Sequence, residues 1–402
     1  MLRKDFIKTS GLFAGAALAM PRQLFSRSLA GYENAVRIGI IGCGDRGLGL
    51  LSGMQELKAG FSFVAACDIL EFRREEARAK DETGTLKIYS DYRQVLGNKS
   101  IDAVIIATPL YNHYEIAAAS LLAGKHVYLE KTMTYDIDEA KKLVALAAKY
   151  PKLVLQVGHQ YRYTPLYFRV KEMIEKGYLG DVTQIDCRWD RNWNWRRPVP
   201  AGYTDEQINW RMYKKYSGGL PAELLSHQVD FVNWAFGTHP DEIMGTGGID
   251  HFKDGRETYD NVQAVLRYND KGMIGNFGAT CANAREGYIF KIKGTKGMVS
   301  LLPGDGIFYP EAATRKELET VDGVSGATRI EWNNDGGIPI MREKQKDGTW
   351  YALEEFYTAI QTGSKPVSDV VTGATTAVCV HLINEAIFGH KIMSWKPEYN
   401  FK

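Results

Sequence analysis

Cysteine is scarce: five in 402 residues, odd in number and scattered (Cys43, Cys67, Cys187, Cys281, Cys379). No two stand at metal-ligand spacing. Neither a disulfide framework nor a metal site is indicated, and each reads as a small apolar core residue. An excess of charge of one sign is also lacking. Lys plus Arg total 50 against 48 for Asp plus Glu, a net of +2. The first 34 residues hold five basic and two acidic side chains, so the remainder is close to −1. That balance excludes a basic face for nucleic acid and an acidic tail. There is no internal repeat and no low-complexity tract. What is left is an ordinary globular composition, 45% hydrophobic and 24% charged. At this length it suits two domains with cores of normal size.

The N-terminus has its own pattern. Leu2-Arg3-Lys4-Asp5-Phe6-Ile7-Lys8 precedes an apolar run from Gly11 to Ala19 that ends in Ala17-Leu18-Ala19. A basic start, a short apolar run and a small-residue end describe an export signal, too short to span a bilayer. It resembles a twin-arginine signal, with Lys4 where the second arginine usually stands. The alternative is an amphipathic helix that stays attached. Residues 1–34 are therefore expected to be an export signal and linker. The protein is expected in the periplasm, exported already folded, without stable membrane insertion.

Past that segment the periodicity splits the chain in two. Buried strands are predicted at Val36 to Ile41, Phe61 to Cys67, Ala103 to Ala107, His126 to Leu129 and Leu153 to Val157. Helices fall between them at Gly47 to Leu57, Glu71 to Lys80, Tyr114 to Ala123 and Asp138 to Lys149. This alternation predicts an α/β domain over 35–157, a doubly wound parallel sheet. From 158 to 402 the rhythm becomes α+β. A helix from Pro165 to Lys176 is followed by strands at Val182 to Trp189, Ile243 to Gly248, Asn261 to Tyr268, Met273 to Thr280, Tyr288 to Lys293 and Met298 to Leu302. Asn269-Asp270-Lys271-Gly272 is a hairpin signal. A large, mainly antiparallel open sheet is expected, closed by helices at 350–361 and 373–388, with 303–349 irregular.

Gly42-Cys43-Gly44-Asp45-Arg46-Gly47 is G-x-G-x-x-G between a buried strand and a helix, the context a dinucleotide fingerprint requires. Gly42 permits the tight turn, Gly44 lets the backbone approach a pyrophosphate, and Gly47 lets helix and strand pack closely. The phosphates then meet the helix N-terminus, so Asp45 and Arg46 in its first turn border the site. Asp68 follows the second strand, 21 residues after Gly47. A carboxylate there accepts from the adenosine ribose hydroxyls and repels a 2′-phosphate, favouring NAD. Arg73 and Arg74 nearby keep NADP open. Further signatures stand at strand ends, where such sheets bind ligands: Thr108-Pro109 with Asn112-His113, and Glu130-Lys131-Thr132.

These motifs, with Gly158-His159-Gln160 and with Gly218-Gly219 followed by His227, occur in a set order. In that order they resemble the glucose–fructose oxidoreductase / inositol dehydrogenase / MocA (Gfo/Idh/MocA) family over about residues 35–390. The sequence departs from the family twice: Thr132 replaces the proline of Glu-Lys-Pro, and Glu223 replaces the aspartate of Asp-x-x-x-His. The resemblance implies a Rossmann domain and a second α/β domain whose open sheet faces the cofactor, commonly in a homodimer or homotetramer. It also implies that Glu130, Gln160, Trp210 and Arg211 lie near the cofactor, and that Lys131 and His227 flank the reacting carbon.

The chemistry is consistent with those roles. Oxidising a secondary alcohol needs a base for the hydroxyl proton while hydride leaves for nicotinamide. His227 titrates in the useful range, and a desolvated Lys131 has a lowered pKa. Glu223, four residues before His227, shares a helix face with it and is expected to orient it or to bind a neighbouring hydroxyl. Residues 189–216 are dense in Trp and Arg, including Arg191. Of these Trp193, Arg196 and Arg197, with Tyr161 and Arg162, are expected to form the substrate wall. The expected activity is NAD-dependent oxidation of a pyranose or glycoside, at C3 in the exported members it resembles most. An NAD-retaining glycosidase working by oxidation and elimination is one alternative, although that branch usually lacks the Lys131 lysine. A non-enzymatic nucleotide-dependent sugar sensor is the other.

Overall fold

In the computed structural model β1 (Val36–Ile41) runs through the interior, buried at every position except Arg37. A strand so apolar can lie only at the centre of a sheet covered on both faces. It pairs in parallel with β2 (Phe61–Cys67) on one side and β4 (Ala103–Ile106) on the other. β3 (Lys87–Tyr89), β5 (His126–Leu129) and β6 (Leu155–Val157) complete a six-stranded parallel sheet in the order β3-β2-β1-β4-β5-β6. The order reverses between β1 and β4, and ligands sit off the strand ends at such a switch point. Residues 35–57, 60–81, 83–302, 304–321 and 332–401 are described, and the export segment 1–34 lies outside them.

The second sheet has nine strands. Its core is β7 (Val182–Trp189), β8 (Glu242–Gly248), β9 (Asn261–Tyr268), β10 (Met273–Thr280), β11 (Tyr288–Gly294), β12 (Gly297–Leu302) and β13 (Asp305–Pro310). Two-residue strands, β14 (Ile338–Pro339) and β15 (Met393–Ser394), form its edges. Neighbours are antiparallel except β7 and β10, which run parallel. The hairpin at Asn269–Gly272 forms, with Gly272 at φ 62°. Helices Pro165–Glu175, Ser226–Phe236 and Val370–Gly389 cover one face, packing Val170, Phe231 and Ile383 onto Ile185, Phe277 and Phe290.

The region 303–349 is less irregular than expected. It contributes β13, β14 and the helix Ala312–Val321. β13 (Asp-Gly-Ile-Phe-Tyr-Pro) has glycine and proline at its ends, which masks a strand held by cross-strand pairing to β12.

The boundary at residue 157 also misses a return of the chain. Leu353 and Phe356 of helix Gly348–Thr362 pack in the first domain's core with Ile38 and Tyr128. Gln156 Nε2 donates to Ala352 O at 2.6 Å, and Val157 N–H to Ser368 O at 2.8 Å. Helix Val370–Gly389 is long and apolar enough to cross a membrane, with mean hydropathy 1.4. Its burial explains the composition: Ala374 and Ala377 face the first core, and Val378, Leu382 and Ile383 the second.

Candidate active site

The glycine loop takes its shape from two contacts. Gly42 sits at φ +94°, and a Cβ there would meet Ala107 O at 2.6 Å. A Cβ on Gly47 would lie 1.9 Å from Gly42 O, so only glycine lets the helix start this close to β1. A Cβ on Gly44 would meet nothing within 4 Å, so this backbone faces open space. Gly44 is the N-cap of helix Asp45–Glu56 and supplies no capping side chain, which leaves the helix N–H groups free for an anion. Asp68 fixes the loop from below. Its Oδ2 accepts from Cys43 N–H at 2.8 Å and its Oδ1 from Leu70 N–H at 2.9 Å. Burial pushes its pKa up, against those two amides.

These groups line a cavity of about 620 Å³ together with Thr108, Pro109, Asn112, Trp210 and Arg211, a volume in the range of small-molecule sites. Thr108 Oγ1 is buried without a partner, an orphan that a bound group would satisfy. The free helix N-terminus, bare Gly44, orphaned Thr108 and strand-end Asp68 fit a dinucleotide. Arg74 donates to the Asp68 and Ile69 carbonyls, and Arg73 pairs with Glu76 at 2.7 Å. Both are therefore occupied where a 2′-phosphate would need them.

A second cavity, about 290 Å³, shares Arg46, Ala107, Thr108, Trp210 and Arg211 with the first. Its walls include His113, Glu130, Lys131, Gln160, Glu223 and His227. Lys131 follows β5, and its Nζ donates to Glu223 O at 2.8 Å and Ala222 O at 3.3 Å. Burial pushes its pKa down, with Glu223 opposing. The Lys131–Thr132 peptide is cis, where the family motif has proline. Those two carbonyls belong to a π-helical turn, Pro221–Leu225, that leads into helix Ser226–Phe236. Such turns recur at functional sites.

His227 is buried beside Tyr161 and Trp189, at ring-centroid distances of 5.2 and 5.6 Å. Its Nδ1 has no partner among the described residues. Burial, then the charge of Lys131, hold its pKa well below the ordinary value, so the ring is a neutral base. Glu223 is paired with Arg211 at 3.1 Å rather than with the His227 ring, which corrects the expectation that it orients His227. Burial raises the Glu223 carboxyl, but Arg211 and then Lys131 hold it below its usual value.

Behind the cleft, Arg46 reaches across the strand ends. It donates to Glu130 Oε1 at 2.8 Å, Gln160 Oε1 at 3.1 Å and Thr349 Oγ1 at 3.1 Å. Thr349, about 300 residues away in sequence, carries no motif that would have named it. His113 bridges the Thr108 and Thr132 carbonyls at 3.0 and 2.8 Å, fixing the two strand-end loops together.

The Trp/Arg segment does something other than expected. Trp193 and Arg197 line the nucleotide cavity, opposite Gly44 and Asp68. Arg197 pairs with Asp45, Tyr203 OH accepts from Glu71 N–H at 3.1 Å, and the Tyr216 ring lies 4.9 Å from that of Tyr111. Residues 193–216 thus form a strap from the second domain over the nucleotide groove. Arg196 braces it from within, paired with Asp205 and Asp254 at 2.7 and 3.3 Å, and lines neither cavity. Arg162 is buried against Asp230, at 2.7 and 2.9 Å. Tyr161 stacks on Tyr167 at 4.3 Å and borders His227 without lining either cavity. Arg196 and Arg162 are occupied by carboxylates and cannot be substrate-wall residues. Trp189 and Arg191, which do stand near His227, lay unresolved within the Trp/Arg cluster.

Two family models match: the oxidoreductase family with NAD-binding Rossmann fold over residues 36–159, and the GFO/IDH/MocA C-terminal domain over 167–300. The chain is 28% identical to a levoglucosan dehydrogenase of Pseudarthrobacter phenanthrenivorans, over 52% of this chain and 57% of that one. It is 29% identical to an inositol 2-dehydrogenase/D-chiro-inositol 3-dehydrogenase of Lactiplantibacillus plantarum, over 50% and 52%. In sequence the chain thus spans little more than half the length of these relatives. Among solved structures, an oxidoreductase domain protein from Kribbella flavida superposes with TM-score 0.71 at 19% identity, covering 90% of this chain and 99% of that one. The myo-inositol 2-dehydrogenase from Lactobacillus plantarum gives 0.68 at 20%, covering 90% and 100%. With its N-terminal half an NAD-binding Rossmann domain and its C-terminal half the matching mixed sheet, the chain belongs to the Gfo/Idh/MocA oxidoreductase family.

Proposed function

We propose that this protein is an NAD-dependent oxidoreductase acting on a secondary hydroxyl of a pyranose or glycoside, at C3 to give a 3-keto sugar. One observation carries the reading: Lys131 and His227 line a cavity that adjoins the dinucleotide cavity and shares five residues with it. NAD, when bound, supplies the hydride acceptor. The chain's own residues handle the proton and the orientation. His227, neutral and with a free Nδ1, takes the hydroxyl proton. Lys131, held by two carbonyls, donates to the hydroxyl oxygen and stabilises negative charge as the proton leaves. Glu223, fixed by Arg211, is an acceptor for a neighbouring hydroxyl. The indole of Trp210, which lines the cavity, offers a face to sugar C–H groups. Relatives named for levoglucosan and inositol support a ring bearing secondary hydroxyls.

The strap supports retention of the cofactor between turnovers, with a second sugar closing the cycle. That arrangement suits a protein exported with its NAD loaded. We place it in the periplasm on the strength of residues 1–34 and assign it a homo-oligomer built on the open sheet face, where Met244 and Ile274 are exposed. Replacing Arg3 and Lys4 by glutamine should leave NAD-loaded protein in the cytoplasm; unchanged export would remove the twin-arginine route.

Mass spectrometry after incubation with a glycoside panel tests the activity. A product two mass units lighter with the glycosidic bond intact is expected. Released aglycone would make the protein a glycosidase, and unchanged glycosides with retained affinity would make it a sensor.

A further inference from the structure

Six arginines around the cleft each have a carboxylate: Arg46 has Glu130, Arg162 has Asp230, Arg196 has Asp205, Arg197 has Asp45, Arg211 has Glu223 and Arg256 has Asp254. Arg191 is different. Among the described residues it makes no ion pair and no side-chain hydrogen bond, and its half-buried guanidinium keeps an Nε that is buried and unpartnered. Its Cζ lies 5.5 Å from the ring centroids of both Trp189 and Trp195, and Trp189 is the indole beside His227. The neighbouring Asp190 does not serve it, since its Oδ1 accepts from Thr280 N–H at 3.1 Å. Two indoles flank the guanidinium, and among the described residues a donor is left without an acceptor. Desolvated cations are ordinarily paired, and unsatisfied buried donors ask for an explanation.

The charge balance points the same way. Among the described residues Lys131 also makes no ion pair: its hydrogen bonds go to carbonyls, and Glu223 acts on it only through space. Glu130 and Glu223, the carboxylates that line the catalytic cavity, are each paired with another arginine; among the described residues this leaves two cations without an ion pair, Lys131 in that cavity and Arg191 outside its lining, across Trp189 from His227. A neutral sugar could hydrogen-bond Arg191, but it would not balance that charge.

We propose that the substrate carries an anionic substituent, a carboxylate or a sulfate or phosphate ester on the sugar, and that Arg191 is the residue that receives it. The proposal rests on reading the Lys131–His227 cavity as the substrate site. A guanidinium flanked by two indoles and paired with no carboxylate keeps a fork of donors that matches an oxyanion.

Calorimetric binding to the NAD-loaded full chain tests it without relying on turnover. The probes are methyl β-D-glucuronide, glucose 6-phosphate and glucose 6-sulfate, each against methyl β-D-glucoside. At least one anionic probe should bind about tenfold or more tighter than the glucoside, and which one does identifies the anion. That preference should shrink between about 20 mM and 500 mM salt. Arg191→Gln should reduce the ratio to below about threefold, and Arg191→Lys should keep part of it, since charge survives and the fork does not. No binding by any probe, no anion preference in the native protein, or a preference that Arg191→Gln leaves intact would each overturn the proposal. The native ratio and its salt dependence decide even if the variants fail to fold. Anion binding through Arg191 without any reduction of NAD would instead sink the dehydrogenase reading and leave this one standing.

Discussion

The nucleotide groove and the catalytic cavity share five residues and differ in how they are made. The floor of the groove is built by one β-α-β unit, beneath the strap: a turn that only Gly42 can make, a helix start that only Gly47 can approach, and Asp68 at the next strand end. The catalytic cavity is assembled from residues far apart in sequence. Lys131 is seated by carbonyls about 90 positions away, and Glu130 is held through Arg46 to Thr349. Local geometry makes a binding site robust, whereas convergence of distant elements makes a reactive one, where burial and unmatched charge shift pKa values.

Four changes test that division, in decreasing order of expected effect. Lys131→Met and His227→Ala should each lower hydride transfer by roughly 10²–10⁴, the usual scale for a positioned acid–base group, with NAD affinity nearly intact. Single-turnover absorbance of bound NAD measures this, and near-normal rates in both would place the chemistry elsewhere. Asp68→Ala should do the opposite, weakening NAD by about 1.5–3 kcal/mol, more than NADP, with little change in rate at saturation. Because Asp68 also anchors Cys43 and Leu70, Asp68→Asn separates the loss of charge from loosening of the loop. Titration by fluorescence reads both, and equal losses for the two nucleotides would remove Asp68 from the ribose site.

The third change concerns pH. Burial pushes His159 down to about 4 from an ordinary 6.5, with Asp230 opposing. The unfolded chain therefore binds more protons than the folded one between those values. Stability should be full above about pH 6.5 and fall as pH drops toward 4, with buried His227 adding to the same slope. Urea midpoints across that window should show the slope, and His159→Gln should flatten it. A slope unaltered by the substitution would assign the titration to other groups. The smallest effect is expected at the strap. The Arg197–Asp45 pair is largely exposed, and exposed pairs contribute at most about 1 kcal/mol. Arg197→Gln should accelerate NAD release by no more than about fivefold. A stopped-flow displacement trace showing a hundredfold change would make this pair the main latch.

Legibility follows the same division. The parallel sheet could be read from apolar runs alternating with helices, and the glycine loop from its spacing. β3 was missed because three residues, Lys87–Tyr89, carry too little pattern. β13 was missed because Gly306 and Pro310 disguise a paired strand. At the site, Lys131, Glu223 and His227 were found through ordered motifs and do meet in one cavity. The arginines could not be sorted by sequence, because which is free depends on carboxylates that arrive from elsewhere in the chain. Arg196 and Arg162 find partners in Asp254 and Asp230, and Arg191 finds none among the described residues. The strap was misread for a related reason: Trp and Arg suit a nucleotide lid as well as a sugar wall.

Lys131 and His227 are assigned to one proton transfer beside the nicotinamide, His227 taking the proton and Lys131 stabilising the oxygen it leaves. The most direct test is single-turnover reduction of bound NAD by a saturating glycoside in the Lys131→Met/His227→Ala double variant, beside the two single variants. The account predicts that the double variant loses little more than the worse single one, because groups serving one proton are not additive. Losses that multiply would show two independent roles and contradict it.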